Sequence, residues 1–538
     1  MNPTAIRKTS KFMKGAFILT LAAIITKVLS ALYRIPFQNI VGDVGFYIYQ
    51  QVYPFYGIAV SLATYGFPVI ISKLYADKIA NKDINGARTV LGTSFLTLLL
   101  FNGFIFIFIY TLSESIAAAM GDIKLAPLLK IVSISFLFIP IIASIRGYFQ
   151  GIGNMLPTAI SQVGEQLVRV LAIIGFSILL IQSGSNLYEV GGGAIFASIL
   201  GGFVAILILI MFIWKLKHMK TWNFSLLKMK FSFRVLKVLL TDGIAVCISG
   251  MILIMFQLID ALQLYSLLVE HGLDEDKAKE IKGIFDRGQP ILQVGTVLAT
   301  SLSLSLVPFI SAAKNKGNLE DIKPYIHLSY RVSFTIGAAA SVGLILIMNP
   351  LNTMLFQNDD GSTVLSILSL SIIFSSIILT ISAVLQGLGN IYFPALAIII
   401  GIGIKYLFNY WFIREWNTAG AALATVISLF FISLILIWKI KSTLGEFILE
   451  KRFFSRLLTA MVVMILVVYG QLSIFQYVYG TDSRLLSSIQ AMISALVGGF
   501  IYIYVIIRGK MFNKVELSML PLGNKLVRFL PKKEKGGL

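Results

Sequence analysis

The chain is a succession of long apolar stretches separated by short polar segments, and this pattern limits the fold more than any other feature. Of its 538 residues, 57% are hydrophobic and only 13% are charged, whereas soluble domains carry about 25% charged residues. Since about 20 apolar residues in a helix cross a bilayer, the pattern predicts an all-α polytopic membrane protein with about fourteen transmembrane helices. The predicted spans are 15–40, 46–72, 89–111, 126–145, 157–181, 191–214, 235–260, 286–311, 332–349, 363–384, 391–413, 418–438, 457–479 and 486–507.

The basic residues predict the orientation. If the N-terminus is cytoplasmic, most of the 45 Lys and Arg residues fall on the cytoplasmic side, as the positive-inside rule requires. With an even number of spans, both termini are then expected in the cytoplasm. The apolar run after residues 1–14 is too long for the core of a cleaved signal peptide, and we interpret it as the first span.

Several classes of function are excluded by what the sequence lacks. Its single cysteine, Cys247, excludes disulfides and cysteine-ligated metals. The three histidines, His218, His271 and His327, lie far apart in the sequence, so we expect no metal centre. No GxxxxGK[ST] loop is present, which excludes a P-loop ATPase. The basic residues lie between apolar runs and do not form one patch, so no nucleic-acid partner is expected.

An internal repeat predicts the architecture. Gln-Gly-Ile-Gly-Asn at 150–154 follows span 4, and Gln-Gly-Leu-Gly-Asn at 386–390 follows span 10. A basic residue then recurs at the same spacing, Arg169 in span 5 and Lys405 in span 11. Spans 1–6 and 7–12 are therefore predicted to be two parallel six-helix lobes around a central cavity, followed by two C-terminal helices. Such a pair of lobes is typical of transporters that open alternately to the two sides.

The predicted organisation follows from these spans. Arg146, beside the inner turn after span 4, is expected to be an interfacial anchor, and the basic tail is expected to lie on anionic lipid. The predicted segments are a cytoplasmic N-terminal segment (1–14), an N-lobe (15–214), a basic cytoplasmic linker (215–234), a C-lobe (235–438), spans 13 and 14 (457–507) and a basic cytoplasmic tail (508–538).

Ionisable residues within the spans are candidate functional groups, because burying a charge in a membrane is costly. Lys27 and Arg34 lie on one face of span 1, and Asp286 and Arg287 open span 8. We expect Arg287 near the depth of Arg34, where cations from both lobes suit a diphosphate. Lys27, Arg34, Asp286 and Arg287 are thus the candidate substrate-binding residues. The alternatives are that Arg34 reaches the outer head groups and that the span 8 residues are interfacial anchors.

Five other charges within the spans are candidates for coupling or for structural roles. Glu165 and Arg169 stand at i and i+4 in span 5, so we expect a pair along one helix that holds spans 4 and 5 together. Asp242 and Asp260 in span 7 have no local partner. Either could bind a coupling cation or proton, or pair with Lys405.

Several of these residues belong to motifs that resemble a known family. Arg-Gly-Tyr-Phe-Gln-Gly at 146–151 and Glu-Gln-Leu-Val-Arg-Val at 165–170 resemble a signature of one flippase branch. This branch of the multidrug/oligosaccharidyl-lipid/polysaccharide (MOP) superfamily contains stage V sporulation protein B and MurJ-like lipid II flippases. Gly-Phe-Pro at 66–68 in span 2 and Asp286-Arg287 with Leu-Val-Pro at 306–308 in span 8 are similar as well.

The resemblance implies a V-shaped pair of lobes around a cationic cavity in a bacterial plasma membrane. It also implies that basic residues of spans 1 and 8 engage a lipid diphosphate, and Lys27, Arg34 and Arg287 occupy the matching positions. The chain departs from the MurJ pattern in having lysine at position 27, where arginine is usual. The basic residue usual in span 2 has no counterpart other than Lys73.

Together these features predict a flippase that moves an undecaprenyl-diphosphate-linked saccharide, lipid II or a related cell-wall or polysaccharide precursor, to the outer leaflet. The expected mechanism is alternating access, driven by the membrane potential or a cation gradient, without a cofactor. The alternatives are a cation-coupled exporter of small molecules and a membrane-embedded glycosyltransferase. The acidic segment 261–285 is the only catalytic candidate for the latter, and it is interpreted as a solvated amphipathic helix. We expect a monomer whose partners are the lipid-linked saccharide and the bilayer, with cell-envelope synthesis enzymes as candidate associates.

Overall fold

The structure is helical throughout the part of the chain that it describes. The computed structural model describes residues 3–215, 231–304, 323–445, 451–480 and 483–518, and every regular element within these ranges is a helix. Most of the predicted basic linker, the end of span 8 and most of the predicted tail lie outside the described residues. The predicted all-α polytopic class is confirmed.

The first part of the chain contains the helices that hold most of the candidate residues. A π-helical turn (Leu62–Gly66) joins α2 to α3, and a 3-10 turn (Ile123–Leu125) precedes α6. The helices are α1 (Pro3–Leu32), α2 (Arg34–Ser61), α3 (Phe67–Ala80), α4 (Ile84–Thr111), α5 (Ser113–Ala119), α6 (Ala126–Ser133), α7 (Ser135–Gly151), α8 (Leu156–Gln182) and α9 (Leu187–Lys215).

The later part of the chain continues in the same way. A second π-helical turn (Leu239–Gly243) separates α10 from α11. The helices are α10 (Phe233–Val238), α11 (Ile244–Gly250), α12 (Ile252–Glu270), α13 (Glu275–Asp286), α14 (Gly288–Leu304), α15 (Lys323–Phe356), α16 (Ser362–Ser369), α17 (Ser371–Gly387), α18 (Tyr392–Leu444), α19 (Lys451–Tyr479), α20 (Arg484–Arg508) and α21 (Lys514–Ser518).

The number of apolar helices agrees with the predicted number of spans. Among the described residues, 11 helical segments are long and apolar enough to cross a membrane. Two of them, Ile18–Ala80 and Tyr392–Leu444, are long enough for two crossings each and correspond to two predicted spans each. The predicted span 8 is described only as far as Leu304.

Both double-length segments are interrupted at a residue with positive φ. Gly42 has φ 69° inside α2, and the hydroxyls of Tyr33 and Tyr49 on either side of it are 2.7 Å apart. In a continuous helix these residues would be about 24 Å apart along the axis. Asn417 has φ 48° inside α18. Spans 1 and 2 are therefore antiparallel neighbours.

The helix of span 1 is interrupted close to Pro36. It breaks at Tyr33, between α1 and α2, three residues before Pro36. Because proline has no N–H, Pro36 leaves the carbonyl of Leu32 without its usual helical donor. The break lies beside Arg34 and so affects the placement of a candidate residue.

The chain forms two compact units. Unit 1 comprises Met1–Asp286 and Ile391–Ala421, and unit 2 comprises Arg287–Asn390 and Ala422–Leu538. Predicted spans 7 and 11 thus pack with spans 1–6. The two six-helix lobes were predicted from an internal sequence repeat. The division into compact units does not test that repeat, so the lobes stay a prediction.

Within unit 1, glycines bring the helices that carry candidate residues close together. A Cβ added at Gly147 of α7 would lie 2.7 Å from the Cβ of Ile71 in α3. A Cβ at Gly201 of α9 would lie 2.8 Å from the main-chain carbonyl oxygen of Glu165 in α8. Small residues allow such approaches between membrane helices. They place Arg146 and Glu165 in the interior of the unit.

The segment 261–285 is helical and exposes its acidic residues, as predicted for an amphipathic helix, but its other face is buried within unit 1. The segment contains the end of α12 and the helix α13, which packs against α2. Gly283 of α13 comes so close to the main chain of Asp43 that a Cβ there would lie 2.1 Å from the Asp43 carbonyl oxygen. Unit 2 has its own apolar core between α15, α19 and α20, which also buries Met511 and Phe512.

Candidate functional site

Unit 1 contains most of the predicted intramembrane charges, and Arg34 is the one least satisfied by the protein. Its side chain is only 1% exposed, and its guanidinium carbon lies 4.2 Å from the centroid of the Tyr53 ring. Nε and Nη1 have no hydrogen-bond partner among the described residues. Buried guanidinium N–H groups without an acceptor cost free energy, so Arg34 has an unused capacity to bind an anion.

Arg169 lies in a cage of tyrosines. Its Nη2 donates to the hydroxyls of Tyr33 and Tyr49, both at 2.9 Å. Its guanidinium carbon lies 4.3 Å from the ring centroid of Tyr56 and 5.5 Å from that of Tyr53. Tyr53 therefore contacts both Arg34 and Arg169. We call Arg34, Arg169 and the four tyrosines the tyrosine–arginine cluster.

The remaining donors of Arg169 also meet uncharged groups. Nε donates to Ser198 Oγ at 3.1 Å and Nη1 to Gln166 Oε1 at 3.3 Å. Arg169 is 2% exposed. Among the described residues, neither Arg34 nor Arg169 forms an ion pair with a carboxylate. The cluster therefore holds two buried positive charges without a carboxylate at ion-pair distance among the described residues.

The predicted pair between Glu165 and Arg169 is wrong. Glu165 instead accepts from Arg146 Nη2 at 2.8 Å. Arg146 is fully buried and also donates to Ser161 Oγ at 3.1 Å and Thr64 Oγ1 at 3.0 Å. The prediction that Arg146 is an interfacial anchor is therefore wrong as well. The ion pair joins α7 to α8. Spans 4 and 5 are thus held together as predicted, but through Arg146 and not through Arg169.

Of the alternatives for span 7, the structure pairs Asp260 with Lys405. Lys405 Nζ lies 2.6 Å from Asp260 Oδ1 and donates to the carbonyl oxygen of Ala421 at 3.2 Å. Asn409 Nδ2 donates to the same carboxylate oxygen at 3.1 Å. Asp242 is a hydrogen-bond acceptor for the hydroxyl of Tyr392. The charge of Lys405 is thus neutralised by a carboxylate.

The other candidate substrate-binding residues have partners within their own units. Lys27 Nζ lies 5.9 Å from the ring centroid of Tyr65. Asp286 is 3% exposed and accepts from Lys282 Nζ at 2.6 Å.

In unit 2, Arg287 is fully buried, donates to Asn358 Oδ1 and lies 5.4 Å from the Phe356 ring centroid. The burial of Asp286 and Arg287 contradicts the alternative that they are simple interfacial anchors. The predicted convergence of Arg287 with Arg34 stays a prediction.

The sequence reasoning did not include the tyrosines. Tyr49, Tyr53 and Tyr56 recur at i, i+4 and i+7 in α2 and so share one helix face. A stripe of aromatic residues with hydroxyls on a membrane helix is a signal that could have indicated a polar interior face.

Comparisons with known proteins agree with this fold and with the sequence resemblance. The chain matches the family model of polysaccharide biosynthesis proteins over residues 12–314 and that of MatE over residues 285–411. It is 39% identical to the uncharacterized membrane protein YabM of Bacillus subtilis, over 97% of each chain. It is 27% identical to the lipid II flippase MurJ of the same organism, over 98% of this chain and 100% of that one.

Two solved structures have a similar fold. A structure of the lipid II flippase MurJ in an inward closed conformation aligns with a TM-score of 0.66 at 16% identity, covering 91% of this chain and 100% of that one. An inward-facing multidrug resistance MATE family transporter aligns with a TM-score of 0.62 at 18% identity, covering 79% of this chain and 94% of that one.

Proposed function

The chain belongs to the polysaccharide biosynthesis protein family of the MOP superfamily of transporters and flippases, and from this premise we propose that it translocates an undecaprenyl-diphosphate-linked saccharide. It is a membrane transporter and not an enzyme. The proposed cargo is lipid II or a related cell-wall precursor, moved from the cytoplasmic to the outer leaflet of the bacterial plasma membrane. In this proposal both termini are cytoplasmic.

The observation that carries the proposal is the unneutralised charge of the tyrosine–arginine cluster. Arg34 presents two nitrogens that no described residue accepts from, and Arg169 beside it meets only uncharged partners. A diphosphate has several oxygens that can accept charge-assisted hydrogen bonds from these two nitrogens. A cationic drug would be repelled by the same cluster, which favours the lipid diphosphate over the alternative cargo of a drug exporter.

In the proposed mechanism, basic residues neutralise the head group and movement of the two lobes carries it across. Arg34, together with Lys27 and Arg287, would neutralise the head group during the crossing, while the polyprenyl chain stays in the lipid. The two lobes predicted from the repeat would rock between inward- and outward-open states. Since the sequence contains no P-loop, the membrane potential or a cation gradient would supply the energy.

The test is transport in proteoliposomes with fluorescent lipid II and, separately, another undecaprenyl-diphosphate saccharide. Labelled lipid that becomes accessible on the outer leaflet is measured with and without an imposed membrane potential. We expect protein-dependent translocation of at least one lipid, and its loss in Arg34→Gln. Arg88→Gln, which removes an exposed positive charge of the same unit, is the matched control and should retain transport.

No translocation of either lipid by folded protein under any gradient would contradict the proposal. Export of cationic small molecules by the same vesicles would then favour the drug exporter. If Arg34→Gln transports normally, the cluster is not the head-group site.

A further inference from the structure

The tyrosine–arginine cluster contains a charge that the proposed mechanism does not use. Arg169 is on α8 and is engaged through all three guanidinium nitrogens, whereas Arg34 is on α2 and has two free ones. The two residues share their surroundings, because the ring of Tyr53 lies against both guanidinium groups. One arginine is thus fixed and the other is open to a ligand.

We infer that Arg169 is the positioning residue for Arg34, and that it acts through the tyrosines between them. This inference rests on the proposed function for the identity of the ligand, a diphosphate-linked lipid. Arg169 Nη2 bridges the Tyr33 and Tyr49 hydroxyls, which are themselves 2.7 Å apart. The bridge fixes the break between α1 and α2, and Arg34 is the first residue after that break.

The same bridge sets the orientation of Arg34. Tyr53 lies four residues after Tyr49 on the same face of α2, and its ring is the surface on which Arg34 rests. Because Arg169 also lies against this ring, 5.5 Å from its centroid, the position of Tyr53 is restricted. The Arg34 guanidinium then rests against the Tyr53 ring, and its Nε and Nη1 stay available to an anion.

Lysine cannot replace arginine in this role. A lysine at 169 would keep the positive charge, but it has no planar guanidinium to lie over Tyr56. It also cannot donate to Ser198 and Gln166 while one nitrogen bridges the two hydroxyls. We therefore expect Arg169→Lys to raise the apparent KM for the diphosphate lipid about tenfold, with the maximal transport rate retained. An electrostatic role alone would leave the KM of this variant unchanged.

A double-mutant cycle separates positioning from an independent contact. Arg34→Gln, Arg169→Gln and the double variant are compared for transport and for binding of farnesyl diphosphate by the purified protein. If Arg169 acts through Arg34, the double variant is no worse than Arg34→Gln alone. Losses that multiply would overturn the inference, and so would wild-type affinity in both Arg169 variants.

The binding measurement keeps this inference separate from the proposed function. If farnesyl diphosphate binds and the cycle is non-additive but no lipid is translocated, the positioning role stands and the flippase proposal fails. If lipid II is translocated and the cycle is additive, the reverse holds. Tyr33→Phe and Tyr49→Phe should each raise the dissociation constant, because each removes one acceptor of the bridge. Unchanged constants in both would exclude the bridge as the route, even if Arg169→Gln proves unstable.

Discussion

Arg146 and Arg34 are both fully buried arginines of unit 1, but their surroundings are opposite. Arg146 is neutralised by Glu165 at 2.8 Å and donates to Ser161 and Thr64 as well. Arg34 rests on one tyrosine ring, and two of its nitrogens have no acceptor among the described residues. The first arginine is satisfied by the protein, and the second is only partly satisfied.

Under the proposed function, this difference separates a structural charge from a ligand-binding one. A buried cation with a complete set of acceptors joins helices and is stable only as part of that set. A buried cation with an incomplete set lowers stability, and such groups are retained where a ligand completes the set. Changes at the Arg146 ion pair should therefore lower stability, whereas changes at Arg34 should lower transport and leave stability intact.

The largest expected effect is on stability, at the satisfied arginine. Glu165→Gln leaves Arg146 charged and buried without its counter-ion, which should cost about 3–5 kcal/mol of folding free energy. The measurement is thermal or denaturant unfolding of the purified protein. The double variant Arg146→Gln with Glu165→Gln should recover much of the loss. A single variant as stable as the wild type would show that the pair does not hold α7 to α8.

A second pair extends the comparison to α12 and α18. Asp260→Asn removes the counter-ion of Lys405, which is fully buried. The loss should approach that of Glu165→Gln but be somewhat smaller, about 3 kcal/mol, because Lys405 also donates to the Ala421 carbonyl. Unfolding of the single variant is compared with that of Asp260→Asn combined with Lys405→Met. If the double variant is less stable than Asp260→Asn alone, Asp260 and Lys405 do not stabilise the fold as a pair.

At the unsatisfied arginine we expect loss of transport without loss of stability. Arg34→Gln removes a charged donor to the head group, worth about 1.5–3 kcal/mol or roughly 10- to 150-fold in transport efficiency. Its midpoint of unfolding should stay at or above that of the wild type, since the variant buries less unsatisfied charge. A marked decrease in the unfolding midpoint would mean that Arg34, like Arg146, is a structural residue, and would contradict the distinction between the two.

The apolar pattern was enough to predict the fold class and the approximate spans, because each span must satisfy its main-chain groups internally. The pairing of Asp260 with Lys405 was one of the alternatives that the sequence left open. The partners of Glu165 and Arg169 were predicted wrongly. A spacing of i and i+4 predicts only pairs within one helix, whereas the partner of Glu165, Arg146, lies on another helix, α7.

The burial of α13 was missed for a related reason. Its composition is polar, which suggests contact with solvent, but Lys282 and Asp286 neutralise each other on the buried face. Hydropathy counts such residues as charged whether or not they are paired. The positions that sequence reasoning misjudged are thus those where one charge is compensated by another.

The smallest expected effect concerns this pair, whose two charges belong to one helix. Gly283→Ala would place a Cβ 2.1 Å from the carbonyl oxygen of Asp43 and so push α13 away from α2. The cost should be that of overpacking, about 1–3 kcal/mol, because Lys282 and Asp286 stay paired when their helix moves. Gly175→Ala is the matched control, since a Cβ there meets nothing within 4 Å, and it should leave stability unchanged or slightly raised. A loss at Gly283 as large as that of Glu165→Gln would mean that the pair within one helix depends on tertiary packing as much as the pair between two helices does.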